Sequence, residues 1–464
     1  MVNDGNRDWS SSSNGNKNGK SENVGNKRRF GRRPFIKAAG IGAAATGLAG
    51  CLGGGGEEAA VPLADRDEIR IGVLAPHPSE DPIGGSIANG AKLAAKQIND
   101  DGGLDGTELN VMVKDTAEDP QTGRERYGEF IREEDVDLTT GVFTSEVLLA
   151  ILEDIAEAQT PHMTAGAATP DASAQVNENY EQYKYHFRTG PINAHHLGVN
   201  LVDFMDAKAS DLGWETVAVL VEDFTWTEPV SAVLNERLED TGVDVVMNRR
   251  YSSGTSDFNP VYNDVEDSGA DAAFVAMAHT GSAAITQWAQ QQRPFEFGGI
   301  HVPMQLPAYY DLVKGASAYG VTQNSATPQS EVTTPDEVDR GDATVPFAEN
   351  FMAEYDSYPV YTGYIAYDAV NQFATVVEEQ GDLGADPVVT GLEESSYTGT
   401  AGTIEYYGQD SDYTHDVVYA EDKVWPVFMQ WQPEDPQNPQ AGGTQEVIFP
   451  DNLATADYQT PPWI

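Results

Sequence analysis

GVFTSEVLLAILEDIAEAQTPHMTAGAAT, residues 141–169, joins a strand end, a helix and a second strand in one run. The apolar strand closes at Phe143, and Thr144 and Ser145 stand where a helix N-cap belongs. Leu148, Ile151, Leu152 and Ile155 then recur at helical spacing until Pro161 stops the helix. A short strand follows and runs out near Thr164 into Ala165, Gly166, Ala167, Ala168 and Thr169, small residues that let backbone N–H groups approach a partner. In an open parallel sheet the two loops leave the same edge, so Thr144, Ser145, Ala167 and Thr169 are expected to face one crevice. Hydroxyls and free N–H groups at a helix start suit a carboxylate or another acceptor-rich group. A Ser or Thr in that place also serves simply as a cap, so the surrounding chain has to decide.

Upstream, Ile69, Ile71 and Val73 begin a strand. A Pro- and Gly-rich loop leads to a helix expected to be capped by Ser86 and to bury Ile87, Ala91, Ala94, Ala95 and Ile98. Leu109, Val111 and Val113 alternate as a second strand, and Asp119-Pro120 opens a second helix. Downstream the pattern restarts at Asp211, with an apolar strand over 217–221, a loop over 222–227, a helix opened by Pro229, and strands over 243–247 and 272–278. Strand and helix in alternation predict an α/β fold of two Rossmann-like, doubly wound lobes with a ligand cleft between them.

The 464 residues carry 27 Lys+Arg against 74 Asp+Glu, a net charge of −47. Residues 1–50 hold 9 of the basic and 3 of the acidic residues, leaving 18 against 71 and a net of −53 for the rest. A surface this acidic excludes nucleic acid as a partner. It also repels itself in dilute buffer, whereas at molar salt the screening length falls to about 3 Å, so the composition reads as adaptation to high salt. Cys51 is the single cysteine, which excludes an intramolecular disulfide and a cysteine-based metal site. Arg32 and Arg33, in RRPFIK, form a twin-arginine export signal, although Gly31 precedes them where Ser or Thr is usual. A short apolar run then leads to LAGC, a lipobox in which Cys51 is the lipidation site, and Gly53 to Glu58 read as a flexible tether.

Taken in order, IRIGVL (69–74), Gly84 with NGA (89–91), INDDGGLDG (98–106), Asp115 with Asp119-Pro120, and the Ser145 to Pro161 segment resemble the branched-chain amino-acid and amide-binding proteins of ABC importers. The resemblance covers roughly residues 67–430. It implies a haloarchaeal-like lipoprotein of the type I periplasmic-binding-protein fold, with three hinge crossings near 188–191, 322–326 and 402–407. The implied division is 1–50 signal and polar extension, 51–66 lipidated cysteine and tether, 67–190 with 325–403 first lobe, and 191–324 with 404–464 second lobe. The tail from Gln432 is expected to be an irregular strap.

By the same resemblance Ser145, with Thr144, binds a ligand carboxylate, Ala167 and Thr169 supply loop contacts, and Trp226 closes over the ligand from the second lobe. Gln305 falls where amino-acid binders place a carboxylate for the ligand ammonium. That departure leaves an amide, a urea-like compound or a small carboxylate open beside an amino acid, or leaves the charge to Asp311. His279 is expected to face the cleft, with Tyr361 and Tyr364 at its rim. Implied partners are a small-molecule ligand, permease and ATPase subunits, and the membrane through the lipid anchor, for a monomer on the outer face of the cytoplasmic membrane. No cofactor is implied. GxxxxGK[ST], GxGxxG after a strand, GxSxG and HExxH do not occur, and an enzyme is not expected. A ligand-sensing protein of the same fold, signalling to a membrane receptor or transducer, is the alternative.

Overall fold

Two parallel sheets follow from the two runs of alternating strand and helix. In the computed structural model, which describes residues 61–325 and 343–464, the first run is β1 (Glu68–Ala75), α1 (Pro82–Asp100), β2 (Glu108–Asp115), α2 (Pro120–Glu129), β3 (Leu138–Gly141), α3 (Ser145–Ala158), β4 (His162–Thr164), α4 (Asp171–Glu178), the single turn α5 (Tyr180–Tyr183) and β5 (His186–Arg188). These strands pair in the order β2-β1-β3-β4-β5, all parallel. Ile69, Ile71 and Val73 on β1 and Phe130 after α2 are wholly buried in the core.

The second run is α6 (Ala194–Leu212), β6 (Thr216–Glu222), α7 (Thr227–Arg237), β7 (Asp244–Tyr251), α8 (Asn259–Ser268), β8 (Ala272–Met277), α9 (Ala283–Gln290), β9 (Glu296–His301), α10 (Tyr309–Leu312) and β10 (Val321–Asn324). Its parallel sheet has the order β7-β6-β8-β9. Residues 343 onward supply α11 (Thr344–Tyr355), α12 (Tyr361–Gln380), α13 (Ala385–Glu394), the ribbon β11 (Tyr397–Thr398) and β12 (Thr403–Ile404), then β13 (Val427–Pro433) and β14 (Gly443–Phe449). Helix α12 packs on α1 of the first lobe, while β13 pairs antiparallel with both β10 and β14.

Three details differ from the sequence reading. Asp81, not Ser86, caps α1: its carboxylate accepts from Ile83 N at 2.7 Å, and Pro82 takes the first helical position, where no N–H is needed. Ser86 lies inside the helix and its hydroxyl accepts from Val360 N across to the start of α12. The tail is not wholly irregular, because β14 pairs antiparallel with β13 and buries Gln445, Val447 and Ile448. And residues 405–419 are not simply second lobe: Arg188 N donates to His415 O and Val417 N to Arg188 O, so the segment adds to the β5 edge of the first sheet. Tyr419 reaches the other way, to Asn200 and Asp203 on α6. The signal, the lipobox, the tether to Ala60 and Ala326 lie outside the described residues.

Candidate ligand site at the lobe junction

In both sheets strand order reverses beside a central strand, β1 with β3 in one and β6 with β8 in the other, and ligands of such sheets sit outside the strand carboxyl ends at that reversal. Those ends meet at one cavity. It is lined from the first lobe by Phe143, Thr144 and Ser145 after β3 and by Gly166 and Ala168 after β4. The second lobe supplies Trp226 after β6, Ala278 and His279 after β8, and Ile300, Val302 and Gln305 at the end of β9. Pro191, Leu197, Gln323, Ser325 and Tyr361 close it. The free room is about 40 Å³, space for a few waters, so the walls stand nearly in contact.

The turn into α3 is built by Gly141, where φ is +107° and a Cβ would meet Leu74 O at 2.1 Å, and by Val142 at φ +65°, unusual for a β-branched residue. Thr144 takes the N-cap backbone position, yet its hydroxyl caps nothing: Oγ1 is buried without a partner. The capping alternative therefore does not hold for the side chain, and the residue lines the cavity. Ser145 Oγ accepts from Thr169 N at 3.2 Å, which ties the two first-lobe loops together and leaves the Ser145 proton to donate.

Ala167 and Thr169 do not line the cavity. Ala167 N is spent on Val142 O, and the carbonyls of both residues accept from the Arg188 guanidinium behind the loop. Their neighbours Gly166 and Ala168 face the cavity instead; a Cβ on Gly166 would meet Val142 O at 2.8 Å. Arg188 and Asp416 are both wholly buried, paired at 2.7 Å, and Asp416 also accepts from Ser173 Oγ and Asn193 Nδ2.

The second wall is organised by Glu222, a residue the sequence reading passed over. It is 0% exposed and accepts from Trp226 Nε1 (3.1 Å), Ala278 N (2.9 Å), His279 N (3.0 Å), His279 Nδ1 (2.9 Å), Thr280 N (2.9 Å) and Thr280 Oγ1 (2.9 Å). Burial pushes the Glu222 carboxyl up, but the hydrogen bonds it receives from the His279 side chain and from the backbone N–H groups of Ala278 and His279 outweigh this and hold it below the ordinary carboxylate value. Because the carboxylate accepts, His279 Nδ1 carries the proton. Nε2 is buried without a partner. The His279 ring stacks on Phe224 at 3.8 Å and lies 5.5 Å from the Phe143 ring of the other lobe. Thr225 N donates to Glu146 Oε1 at 3.2 Å, a direct tie from the second lobe to α3.

Gln305 is buried in the last turn before Leu306, and its Oε1 has no partner. Gln323 Oε1 is likewise unpartnered, its amide nitrogen donating to Asn200. Tyr361 lines the cavity whereas Tyr364, one turn on, points at Phe347 with ring centroids 4.6 Å apart. Asp311 belongs to a separate groove with Leu306 and Leu312. Among the described residues lining the cavity there is no Asp, Glu, Lys or Arg. Among the described residues no three His, Cys, Asp or Glu side chains gather as a metal site, and no described helix is long and apolar enough to cross a membrane.

Two doubly wound lobes whose strand ends close on one small cavity, lined by hydroxyls, amides and apolar side chains, make a solute-binding frame of the type I periplasmic-binding-protein fold. The periplasmic binding protein family model matches residues 68–422, and the chain belongs to that family. A Leu/Ile/Val-binding protein homolog of Brucella melitensis is 23% identical over 403 residues, spanning 81% of this chain and 90% of the relative. The solute binding protein of an ABC transporter from Rhodopseudomonas palustris, solved with 3,4-dihydroxy benzoic acid, superposes with a TM-score of 0.67 at 19% identity over 86% of this chain and 99% of its own. The branched-chain amino acid transporter substrate binding protein of Streptococcus pneumoniae, solved with isoleucine, does so with a TM-score of 0.64 at 16% identity over 82% of this chain and 99% of its own.

Proposed function

We propose that the chain is the solute-capturing lipoprotein of an ABC importer: exported through the Arg32-Arg33 signal, anchored by lipid on Cys51 at the outer face of the cytoplasmic membrane, and delivering its solute to permease and ATPase subunits. The solute is a small one with an acceptor end and an apolar body: an amino acid, an amide or a small carboxylate. The acceptor end meets Ser145, Thr144 and the N–H groups opening α3; Trp226, His279 and Gln305 meet the rest. Ala167 and Thr169 act from behind, by holding the loop that presents Gly166 and Ala168. The observation that carries this reading is the junction cavity, in which unpartnered polar atoms of both lobes are gathered within apolar walls. With about 40 Å³ of free room, the walls part to admit a solute and close on it, a hinge-type motion about the crossings. The relatives named above bind amino and aromatic acids, which agrees with an acidic end in the first lobe.

A thermal-shift screen at molar salt, against branched-chain and acidic amino acids, short amides, urea and small carboxylates, tests this. A solute at 100 times its Kd adds about 2.7 kcal/mol to the native state. A melting point that no solute in the panel moves breaks the reading.

A further inference from the structure

Each wall of the cavity is braced by a full charge that it does not present. Arg188 holds the first-lobe loop through the Ala167 and Thr169 carbonyls and is answered by Asp416; Glu222 holds the second wall and its oxygens are taken by six donor groups of Trp226, Ala278, His279 and Thr280. What faces the cavity is neutral. Three buried acceptors stand there without a donor: His279 Nε2, Gln305 Oε1 and Gln323 Oε1. An ammonium leaving water for such a place loses its hydration and meets no anion, a cost that neutral acceptors do not offset. A hydroxyl loses far less and finds the acceptors it needs.

Position follows from the rings. Phe143 immediately precedes Thr144 and Ser145, and the His279 ring lies 5.5 Å from the Phe143 ring. Ser145 and His279 thus line one cavity of about 40 Å³ from opposite lobes, so a small solute whose carboxylate is held by Ser145 and the start of α3 has His279 within its reach, with Leu197, Trp226, Ile300 and Val302 for an apolar remainder.

On the solute-capture reading above, we propose that the solute is a small apolar hydroxy acid, with an uncharged hydroxyl beside its carboxylate in place of an ammonium, and that His279, oriented by Glu222, is the residue that reads that hydroxyl.

The test is calorimetric titration of the whole chain at molar salt with solutes matched in skeleton: 2-hydroxy-4-methylpentanoate, leucine and 4-methylpentanoate, and 2-hydroxy-3-phenylpropanoate, phenylalanine and 3-phenylpropanoate. In at least one set the hydroxy acid binds about tenfold or more tighter than both its amino and its unsubstituted counterpart. Gln305→Glu, which is isosteric and places a carboxylate in the cavity, moves the hydroxy-to-amino ratio about tenfold or more toward the amino acid. An amino acid that binds the unaltered chain as tightly as its hydroxy counterpart overturns the inference and leaves solute capture standing. Hydroxy acids that stay silent while an amide or a plain carboxylate binds do the same. Silence of every solute, including the amides and carboxylates of the thermal screen, overturns the capture reading together with this one.

Discussion

The two walls of the cavity solve one problem with opposite charges. On the first wall a cation acts on carbonyls: Arg188 donates to Ala167 O and Thr169 O, and Asp416 balances it. On the second an anion acts on N–H groups: Glu222 gathers three backbone amides, an indole, an imidazole and a hydroxyl. Both charges are wholly buried behind the surface they shape. The difference lies in how each is answered. Arg188 has a counter-ion on a distant segment, so the first wall depends on residues 405–419 staying in place; Glu222 is answered by neighbours on its own lobe, so the second wall is self-contained.

Removing the counter-ion on the first wall, or the charge itself on the second, breaks that comparison at its strongest point. Asp416→Ala strips the buried guanidinium of its partner and frees the 405–419 segment from β5; a loss of about 3–5 kcal/mol is expected in denaturant unfolding at molar salt. Glu222→Ala leaves six donors buried without an acceptor and is expected to cost a similar about 3–5 kcal/mol. The two should differ in kind: a hinge defect alters both lobes, whereas loss of Glu222 confines increased amide exchange to the loops around Trp226 and Thr280. Equal protection loss in both lobes after Glu222→Ala contradicts a self-contained second wall.

A third buried carboxylate sharpens the point. Asp368 on α12 receives hydrogen bonds from Thr400 N and Oγ1. Burial pushes its carboxyl up to about 7, where the donors of Thr400 pull down but do not win. A carboxyl with a higher pKa in the folded chain binds its proton more tightly there. Its contribution is therefore fully present below the ordinary aspartate value of 3.8 and is lost as pH rises through about 7. Between those limits the unaltered chain is expected to lose on the order of 4 kcal/mol relative to Asp368→Asn, followed as unfolding free energy against pH. Parallel profiles for the two chains contradict this. Glu222 runs the other way, its stabilisation present above the ordinary glutamate value of 4.5 and lost only as pH falls below it.

What was legible in the sequence follows the same division between local and distant causes. The β3-α3-β4 run was readable because periodicity, a Thr-Ser start and Pro161 all act within one helix. Glu222 was not, because one carboxylate among 71 after residue 50 carries no mark of the six donors that folding brings to it. Tyr361 and Tyr364, both expected at the rim, were separable only by the true start of α12: because it begins at Tyr361, one ring lines the cavity and the other turns onto Phe347. The Thr144 position was set by local backbone, but the sequence leaves open whether its hydroxyl caps the helix or turns to the cavity, because nothing local decides it. The 405–419 segment escaped the expected lobe boundary since its partner Arg188 lies far off in sequence.

Two hydroxyls of the first wall provide the finest test, because they stand side by side and differ in employment. Ser145 Oγ already accepts from Thr169 N. Ser145→Ala therefore orphans a buried amide as well as the solute, and is expected to weaken solute binding by about 1–3 kcal/mol with some loss of stability. Thr144 Oγ1 has no protein partner. Thr144→Val keeps the shape and removes only a hydroxyl that the protein itself does not use, so unfolding free energy should hold or rise slightly while solute affinity falls by about 1 kcal/mol. Titration and melting of the same two variants separate the roles. If Thr144→Val costs stability instead of affinity, the hydroxyl serves the fold and the first wall offers the solute one side-chain donor, not two.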